Sequence, residues 1–241
     1  MAKIIAVVGS PGSGKTTISM KLAQEVYCAT SSGEVIYLSP SLRVPSLGLL
    51  FPNYTPDSLF SIGQMLDKTD INEEDVLNHL VTVKSMKNFG CLGYKTGEYK
   101  YTYPALTEDK VKALFGVLSI MTGYIFVDCT EEDDDLITQY ALKNADVILM
   151  VLSPDLKSMV WLSSYENWLG SNIERAIKVL NINESDLFAP TEDIRNTVKN
   201  ISFVLPFNKT VRAQLQDGQL YDRVKDKKYR IELSKLIKMI I

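Results

Sequence analysis

Short, wholly apolar runs alternate along the chain with longer segments in which apolar residues recur every three or four positions. The clearest runs are residues 4–8 (IIAVV), 124–127 (YIFV) and 147–152 (VILMVL). A run that is apolar at every position is typical of a strand buried on both faces. Helical segments between such strands form βαβ units with a parallel sheet. The pattern therefore predicts an α/β three-layer sandwich, with a mostly parallel central sheet and helices on both faces.

The same periodicity predicts the individual elements. The predicted strands are residues 3–8, 34–38, 88–92, 124–128, 147–152, 176–181 and 201–207. The predicted helices are residues 15–27, 57–66, 73–83, 107–121, 134–143, 155–169, 191–199, 210–216 and 227–240. Residues 39–56 contain four prolines and are predicted to be a loop-rich connection. Because no repeat or change in composition divides these elements, we expect one domain over residues 1–241.

Composition excludes several classes of function. The 241 residues are 46% hydrophobic and 23% charged, which suits a globular core, and the net charge of −3 disfavours a dedicated nucleic-acid binder. Cys28, Cys91 and Cys129 form no C-x-x-C pair, and His79 is the single histidine, so neither zinc nor a Ser/His/Asp triad is expected. No apolar stretch reaches the ~18 residues of a membrane span, and no signal peptide is evident. We expect a cytoplasmic protein.

A glycine-rich loop follows the first apolar run. Residues 9–16 (GSPGSGKT) fit the pattern G-x-x-x-x-G-K-[ST], with a predicted strand before it and a predicted helix after it. In such a loop, backbone N–H groups and the helix N-terminus surround phosphate oxygens. Lys15 would bridge the β- and γ-phosphates, and the hydroxyl of Thr16 would bind Mg²⁺. A glycine turn with a surface lysine is the less favoured alternative.

An aspartate ends a neighbouring predicted strand. Asp128 closes YIFVD, where an acid would hold the water shell of Mg²⁺, although it could instead cap the next helix. Lys15 and Asp128 are therefore the candidate catalytic residues, and Thr16 and Asp128 the candidate metal ligands. Residues 131–135 (EEDDD) form an acidic segment directly afterwards. We expect this segment to be solvated at a helix start, with contact to a partner as the alternative.

Several motifs follow the glycine loop in a characteristic order. They are EVIYLSPSLRVPSLGLLF, GYIFVDCT, ALKNADVILMVLSPD, VLNIN and VLPFNKTVRAQLQDGQLYD. Together they resemble the ParA/MinD family of deviant-Walker, SIMIBI-class P-loop ATPases, in particular its CpaE/TadZ pilus-assembly localisation branch. The resemblance extends over nearly the whole chain. It implies binding of ATP (or ADP) with Mg²⁺, a face-to-face homodimer around two nucleotides, and the positioning of other cellular machinery.

The resemblance also implies individual roles. The implied nucleotide contacts are Gly9, Ser10, Pro11, Gly12, Ser13, Gly14, Lys15, Thr16, Thr17, Asn181, Pro206 and Phe207. Residues 39–46 and 129–133 would be the two switch loops. Asn181 would read adenine, with a polar strand-end residue as the alternative, and Pro206 and Phe207 would pack on the base, with Phe207 in the core as the alternative.

The departures from the family pattern concern hydrolysis. Ser10 stands where the family carries its signature lysine, and Tyr37 and Ser39 stand where it carries aspartates. A serine supplies neither a negative charge nor general-base capacity near neutral pH. The second switch lacks the usual proline-glycine pattern. We therefore expect slow or absent ATP hydrolysis; Arg43 could replace the missing cation, although a solvent-exposed loop arginine is the favoured interpretation.

Three further segments have two interpretations each. For residues 225–241 we favour a helix docked on the sheet over a membrane-surface helix. For the tyrosine-rich residues 94–103 we favour a partly buried loop over a platform for single-stranded nucleic acid. The residues Trp161, Leu162, Tyr165 and Trp168 would form either a core face or a partner face.

These observations favour one function over two others. We favour an ATP-binding dimeric switch that positions or recruits a protein partner, such as a secretion or pilus apparatus. A P-loop enzyme that phosphorylates a small molecule would need its own cationic clamp and base, and clustered cations are few. A DNA-partitioning ATPase is disfavoured because no basic stripe is evident, although a dimer could assemble one.

Overall fold

The computed structural model describes residues 1–30, 33–55, 58–83, 85–184, 198 and 200–241. The strands are β1 (Lys3–Gly9), β2 (Val35–Ser39), β3 (Val81–Val83), β4 (Met86–Gly93), β5 (Tyr124–Asp128), β6 (Val147–Leu152), β7 (Ile177–Asn181) and β8 (Ile201–Leu205). The helices are α1 (Lys15–Ala29), α2 (Ser46–Leu50), α3 (Ile62–Leu66), α4 (Glu73–His79), α5 (Glu108–Met121), α6 (Leu136–Asn144), α7 (Leu156–Leu169), α8 (Asn172–Arg175), α9 (Lys209–Gln216) and α10 (Lys227–Ile237).

The strands form one sheet in the order β3-β4-β2-β5-β1-β6-β7-β8. Every neighbouring pair is parallel except β3 and β4, which are antiparallel at the edge. Val7 of β1 lies opposite Asp128 of β5, and Gly9 lies opposite Val151 of β6. The carboxyl ends of β1, β5 and β6 therefore meet at one edge, where open α/β sheets bind ligands.

Helices cover both faces of this sheet. In β1, Ile4, Ala6 and Val8 belong to one buried cluster, and Ile5 and Val7 belong to the other. Helices α3 to α7 pack on the first cluster, and α1, α2, α9 and α10 pack on the second. Because alternate side chains of a strand point to opposite faces, a strand buried on both sides must be apolar throughout. The predicted three-layer α/β sandwich is confirmed.

One predicted helix is wrong in its last turn. The helix predicted over residues 73–83 ends at His79, and β3 follows as an edge strand. Val81 and Val83 are buried while Thr82 is exposed, which is the alternation of a strand. The apolar residues here fit both helical and strand periods over so few positions, and pairing with β4 decides between them.

Other predicted boundaries shift. Strand β4 is longer than the predicted residues 88–92, helix α3 is shorter than residues 57–66, and α2 lies inside the predicted loop at residues 39–56. Strand β8 ends one residue before Pro206, which has no N–H for a ladder. The predicted helix at residues 191–199 falls outside the described residues except for Val198.

Polar contacts join the first helix to the segment between α9 and α10. Lys21 in α1 is 1% exposed, and its ammonium donates to the carbonyl oxygens of Leu220 and Asp222, both at 2.6 Å. Burial lowers the pKa of Lys21 to about 7. Glu25, one turn later, accepts two bonds of 3.1 Å from Arg223. The helix that follows the glycine loop is thus tied to the chain between α9 and α10.

The segments with two interpretations are assigned by burial. Trp161 is buried, and Leu162, Tyr165 and Trp168 pack against the same core cluster, as a core face requires. The tyrosine-rich loop is partly buried, with Tyr94 and Tyr103 inside and Tyr99 and Tyr101 exposed. Throughout the part of the chain that the structure describes, no helix is both long and apolar enough to span a membrane.

Helix α10 docks on the sheet, as favoured from the sequence. Tyr229, Leu233, Leu236 and Ile237 are buried on one side of the helix, and Ile231 is 56% exposed on the other. A membrane-surface helix would instead present its apolar face to the outside.

The docked position of α10 can be tested by a pair of substitutions. Leu236→Ala is expected to lower the free energy of unfolding by about 2–5 kcal/mol, because it leaves a cavity at a fully buried position. Ile231→Ala on the same helix is expected to change it by less than about 0.5 kcal/mol. Urea denaturation followed by circular dichroism measures both. Equal, small effects would show that α10 is not packed as described.

Candidate phosphate-binding site

The glycine loop passes close to neighbouring backbone. A Cβ atom on Gly9 would lie 2.0 Å from the carbonyl oxygen of Val151 in β6, so no side chain fits there. Gly14 caps α1 in the left-handed region at φ 89°, and a Cβ on it would lie 2.5 Å from Nδ2 of Asn181. Glycine is therefore required at both ends of the loop by the close approach of β6 and β7.

Two asparagines hold the loop from the end of β7. Asn181 is 6% exposed, and its Nδ2 donates to the carbonyl oxygen of Ser13 at 2.8 Å. Asn183 donates from Nδ2 to the carbonyl oxygen of Gly12 at 3.0 Å. These bonds use carbonyls of the loop and leave its N–H groups, at the start of α1, for a ligand.

Asp128 lies beside the loop at the end of β5. Its Oδ2 accepts hydrogen bonds from the hydroxyl of Thr16 at 2.7 Å and from the phenol of Tyr37 at 3.0 Å. Its Oδ1 is buried and has no hydrogen-bond partner among the described residues. Burial raises the pKa of Asp128, and the positive charge of Lys15 opposes this. One oxygen of the carboxylate, Oδ1, is therefore available to bind a ligand.

The pair of Thr16 and Asp128 fits a magnesium ion. Mg²⁺ prefers hard oxygen ligands and is usually held by one or two protein groups, with water and phosphate supplying the rest. Over the described ranges, no group of three or more His, Cys, Asp or Glu side chains could enclose a metal alone. An unpartnered carboxylate oxygen beside a hydroxyl is the open arrangement that a Mg²⁺–phosphate complex requires.

Lys15 contacts the acidic segment. Its side chain is 8% exposed, and its ammonium forms an ion pair with Glu131 and lies 3.5 Å from the carbonyl oxygen of Ser10. The expectation that residues 131–135 are solvated at a helix start is wrong for Glu131, which pairs with Lys15, but the helix start is confirmed, since Asp135 is the N-cap of α6. Asp133 and Asp134 do lie at the surface, where Asp134 pairs with Lys100, and the half-buried Glu132 pairs with Arg43.

A cleft of about 1440 Å³ joins these groups. It exceeds the roughly 300–1,000 Å³ of a typical small-ligand pocket. The predicted nucleotide contacts that line it are Pro11, Gly12, Gly14, Lys15, Thr16, Thr17, Asn181, Pro206 and Phe207. Asp128, Ser39 and Arg43 line it as well, whereas Gly9, Ser10 and Ser13 do not. The side chains of Ser10 and Ser13 are fully buried.

Comparison with known proteins finds likeness in structure only. No family model and no curated protein matches the sequence. Among solved structures, a ParA-family ATPase from Chlorobium tepidum TLS is similar at a TM-score of 0.74 and 15% identity, over 98% of both chains. A plasmid partition protein from Borrelia burgdorferi B31 bound to AMPPNP is similar at 0.71 and 17% identity, over 100% of both.

The septum site-determining protein MinD from Pyrococcus horikoshii OT3, complexed with Mg-ADP, is similar at a TM-score of 0.70 and 17% identity, over 100% of this chain and 96% of that one. The chain has the fold of the ParA/MinD ATPases. At these identities the likeness shows the fold alone, and it confirms the fold expected from the resemblance. The assignment to the CpaE/TadZ branch stays a prediction.

The side chain of Ser10 points away from the cleft. Its Oγ lies 2.5 Å from Oγ of Ser158, at the start of α7. Ser158 in turn accepts from the N–H of Ser153 at 2.9 Å, and its own N–H donates to Asp155 at 2.7 Å. The side chain at the expected lysine position thus faces the interior of this ParA/MinD fold, and it links the glycine loop to α7.

Sequence patterns did not identify the roles of some residues in and behind the cleft of this ParA/MinD fold. Tyr37 was noted only as the replacement of an aspartate, yet its phenol orients Asp128. Tyr165 was assigned to a core or partner face, yet its hydroxyl donates to the carbonyl oxygen of Glu131 at 3.0 Å. Glu131 itself lies 116 positions from Lys15. No local spacing signals these contacts, because each joins residues far apart in the chain.

The titration of Asp135 makes the free energy of unfolding of the protein depend on pH. Burial raises the pKa of its carboxyl to about 6, from 3.8 in the unfolded chain. The folded state therefore holds this proton more tightly, and the resulting stabilisation is complete below pH 3.8 and lost as pH rises through 6.

Asp135→Asn removes this titration and keeps an oxygen that can accept from the N–H of Thr138. Between pH 4 and pH 7, the free energy of unfolding of the native protein is expected to fall relative to that of the variant by about 2 kcal/mol. Urea unfolding at a series of pH values measures the difference. A difference that does not change with pH would show that Asp135 titrates normally.

Proposed function

We propose that this protein binds ATP (or ADP) with Mg²⁺ and acts as a nucleotide-dependent dimeric switch that positions or recruits a protein partner, with slow or absent hydrolysis. One observation carries the proposal: Lys15, Thr16 and Asp128 converge in one cleft beside an N–H-lined glycine loop, and Oδ1 of Asp128 is buried without a partner. Two proteins of the same fold carry AMPPNP and Mg-ADP in their structures.

Different residues of the cleft bind different parts of the nucleotide. The loop N–H groups and the positive end of α1 bind phosphate oxygens, and Lys15 neutralises the terminal phosphates. Thr16 and Asp128 hold Mg²⁺, which when bound draws charge from the phosphates. Tyr37 orients Asp128 by donating to the oxygen that Thr16 also contacts.

Three lining residues of the cleft are candidates to contact the base. Asn181, Pro206 and Phe207 line it together, as the resemblance implies. Nδ2 of Asn181 donates one of its two N–H groups to the carbonyl oxygen of Ser13, so its amide oxygen and its second N–H remain to contact a base. An amide that offers both an acceptor and a donor matches the amino group and ring nitrogen of adenine. We therefore propose an adenine nucleotide.

The cleft is poorly equipped for hydrolysis. Ser10 points inward, so the loop presents no second cation to the phosphates. Ser39 and Tyr37, at the end of β2, carry no carboxylate. Glu131 and Glu132 line the cleft, but each is paired with a cation. Because the glycine loop presents no second cation and the end of β2 presents no carboxylate, phosphoryl transfer to water is expected to be slow.

Exposed apolar and tyrosine side chains lie along the cleft and close to it in sequence. Val44 is 65% exposed and Tyr99 59% exposed, and both line the cleft, with Tyr101 80% exposed nearby in sequence. Exposed apolar and tyrosine side chains are typical of protein interfaces. We propose that a second copy of this chain packs against these side chains when nucleotide is bound. We also propose that the protein is a single domain located in the cytoplasm, and that its partner is a pilus or secretion apparatus.

The alternative functions have less support. A small-molecule kinase needs several free cations to clamp its second substrate, but Arg43 and Lys100 in the cleft are paired with acids, which leaves Arg212 among the described residues for this role. A DNA-partitioning ATPase needs a basic surface to contact phosphates, and the net charge of −3 disfavours such a surface.

Lys15→Ala tests the binding site. Isothermal titration calorimetry with Mg-ATP and Mg-ADP is expected to show micromolar binding to the native protein, weakened at least about tenfold in the variant, because a charged hydrogen-bond partner of phosphate is lost. Lys112→Ala removes an exposed lysine of α5 and serves as the control. Light scattering after size exclusion is expected to show dimers with ATP and monomers without nucleotide or with ADP.

Two results would contradict the proposal. If neither nucleotide binds to the native protein, the proposed nucleotide-dependent switch is wrong. If the monomer turns over ATP at about 1–100 s⁻¹ and a small metabolite stimulates it, the protein is a kinase.

Ser10→Lys tests the inward direction of this position. Since the site faces Ser158 with no exposed surface, a lysine there is expected to lower the free energy of unfolding by about 2 kcal/mol or more without restoring ATP turnover. Ser10→Ala, which removes only the hydroxyl, controls for loss of the hydrogen bond. Phosphate release with Mg-ATP measures turnover, and a clear gain in the lysine variant would show that the side chain can reach the phosphates.

A further inference from the structure

Four cations of the described chain line the cleft, and three of them are paired with acids of one short segment. Lys15 pairs with Glu131, Arg43 with Glu132, and Lys100 with Asp134. These three cations come from the start of α1, the loop after β2 and the tyrosine-rich loop. The acidic segment therefore lies across the cleft and neutralises three of the four cations that would attract an anionic ligand; the fourth, Arg212, is outside these pairs.

The pair of Lys15 and Glu131 differs from the other two. The side chains of Arg43 and Lys100 are 76% and 63% exposed, so solvent and salt screen their pairs. Lys15 is 8% exposed and Glu131 is 32% exposed. The ammonium of Lys15 is the group that the glycine loop offers to phosphate. A carboxylate and a phosphate both present anionic oxygens, so they compete for the same donors.

Glu131 is held in this position by its surroundings. Its carbonyl oxygen accepts a hydrogen bond from Tyr165 of α7 at 3.0 Å. The preceding residue, Thr130, donates its N–H to the hydroxyl of Thr138 in α6 at 3.0 Å. Glu132, on the other side, is paired with Arg43. Because the backbone is anchored on both sides, little conformational entropy is lost when the carboxylate meets Lys15.

We propose that Glu131 is a specificity-determining residue of the nucleotide site, an internal anion that only a ligand with a phosphate at Lys15 displaces. This inference rests on the proposed nucleotide binding. When a fraction of the molecules keeps Lys15 paired, the apparent Kd equals the intrinsic Kd divided by the unpaired fraction. ADP and ATP must overcome this competition. The Kd for AMP does not depend on this competition, because the single phosphate of AMP does not reach Lys15.

Glu131→Gln tests this competition, because it keeps the size of the side chain and removes its charge. Isothermal titration calorimetry with Mg-ADP and Mg-ATP is expected to give Kd values lower than those of the native protein by about tenfold. The Kd for AMP is expected to stay within about twofold. Glu131→Ala, which also deletes the carboxylate, is expected to give the same pattern.

Asp133→Asn is the matched control. It makes the same change of net charge in the same segment, and its exposed side chain forms none of the three ion pairs. Nucleotide affinity is expected to rise in this variant by less than about twofold, as general electrostatic attraction predicts. Urea unfolding of every variant verifies that the compared proteins are folded.

The outcomes separate the inference from the proposed function. Tightening by the same factor in Glu131→Gln and Asp133→Asn, or equal tightening for AMP, would show a general effect of charge and overturn the role of Glu131. Unchanged or weaker ADP binding in Glu131→Gln would also overturn it, while nucleotide binding itself would stand. Absence of binding in all proteins, native included, would remove both.

Discussion

The close passage of the glycine loop beside the ends of β6 and β7 constrains the rest of this site. Gly9 has no space for a side chain next to the carbonyl of Val151, and Gly14 has none next to Asn181. The loop must therefore turn within a few residues and enter α1 at Lys15. That entry sets Thr16 against Asp128 and directs the N–H groups of the helix start into the cleft.

Charge in the cleft is balanced over short distances. Asp128 is buried, which raises its pKa, and the nearby ammonium of Lys15 opposes that effect. Lys15 in turn is paired with Glu131. A ligand that brings phosphate and Mg²⁺ together would satisfy Lys15 and the free oxygen of Asp128 at once, whereas a bare anion or a bare cation would satisfy only one of them. The site is suited to the complex of both.

Much of the fold could be predicted because the burial of parallel strands leaves a strong local pattern. The runs that became β1, β5 and β6 are apolar at every position, and both faces of the sheet are covered. Residues 80–83 were misassigned because three residues of an edge strand fit two periods equally well. Only their pairing with β4, which depends on residues beyond the turn, selects the strand.

The sequence by itself determined the glycine loop, the lysine and threonine that follow it, and Asp128 at the end of a buried strand, since each depends on neighbours within a few positions. Tertiary structure alone decided where Ser10 points and which cation Glu131 contacts. Ser10 meets Ser158 and Lys15 meets Glu131 across more than 100 positions, at 148 and 116 respectively. Spacing along a chain carries no information about such contacts, because they exist only once the sheet has brought distant loops to one edge.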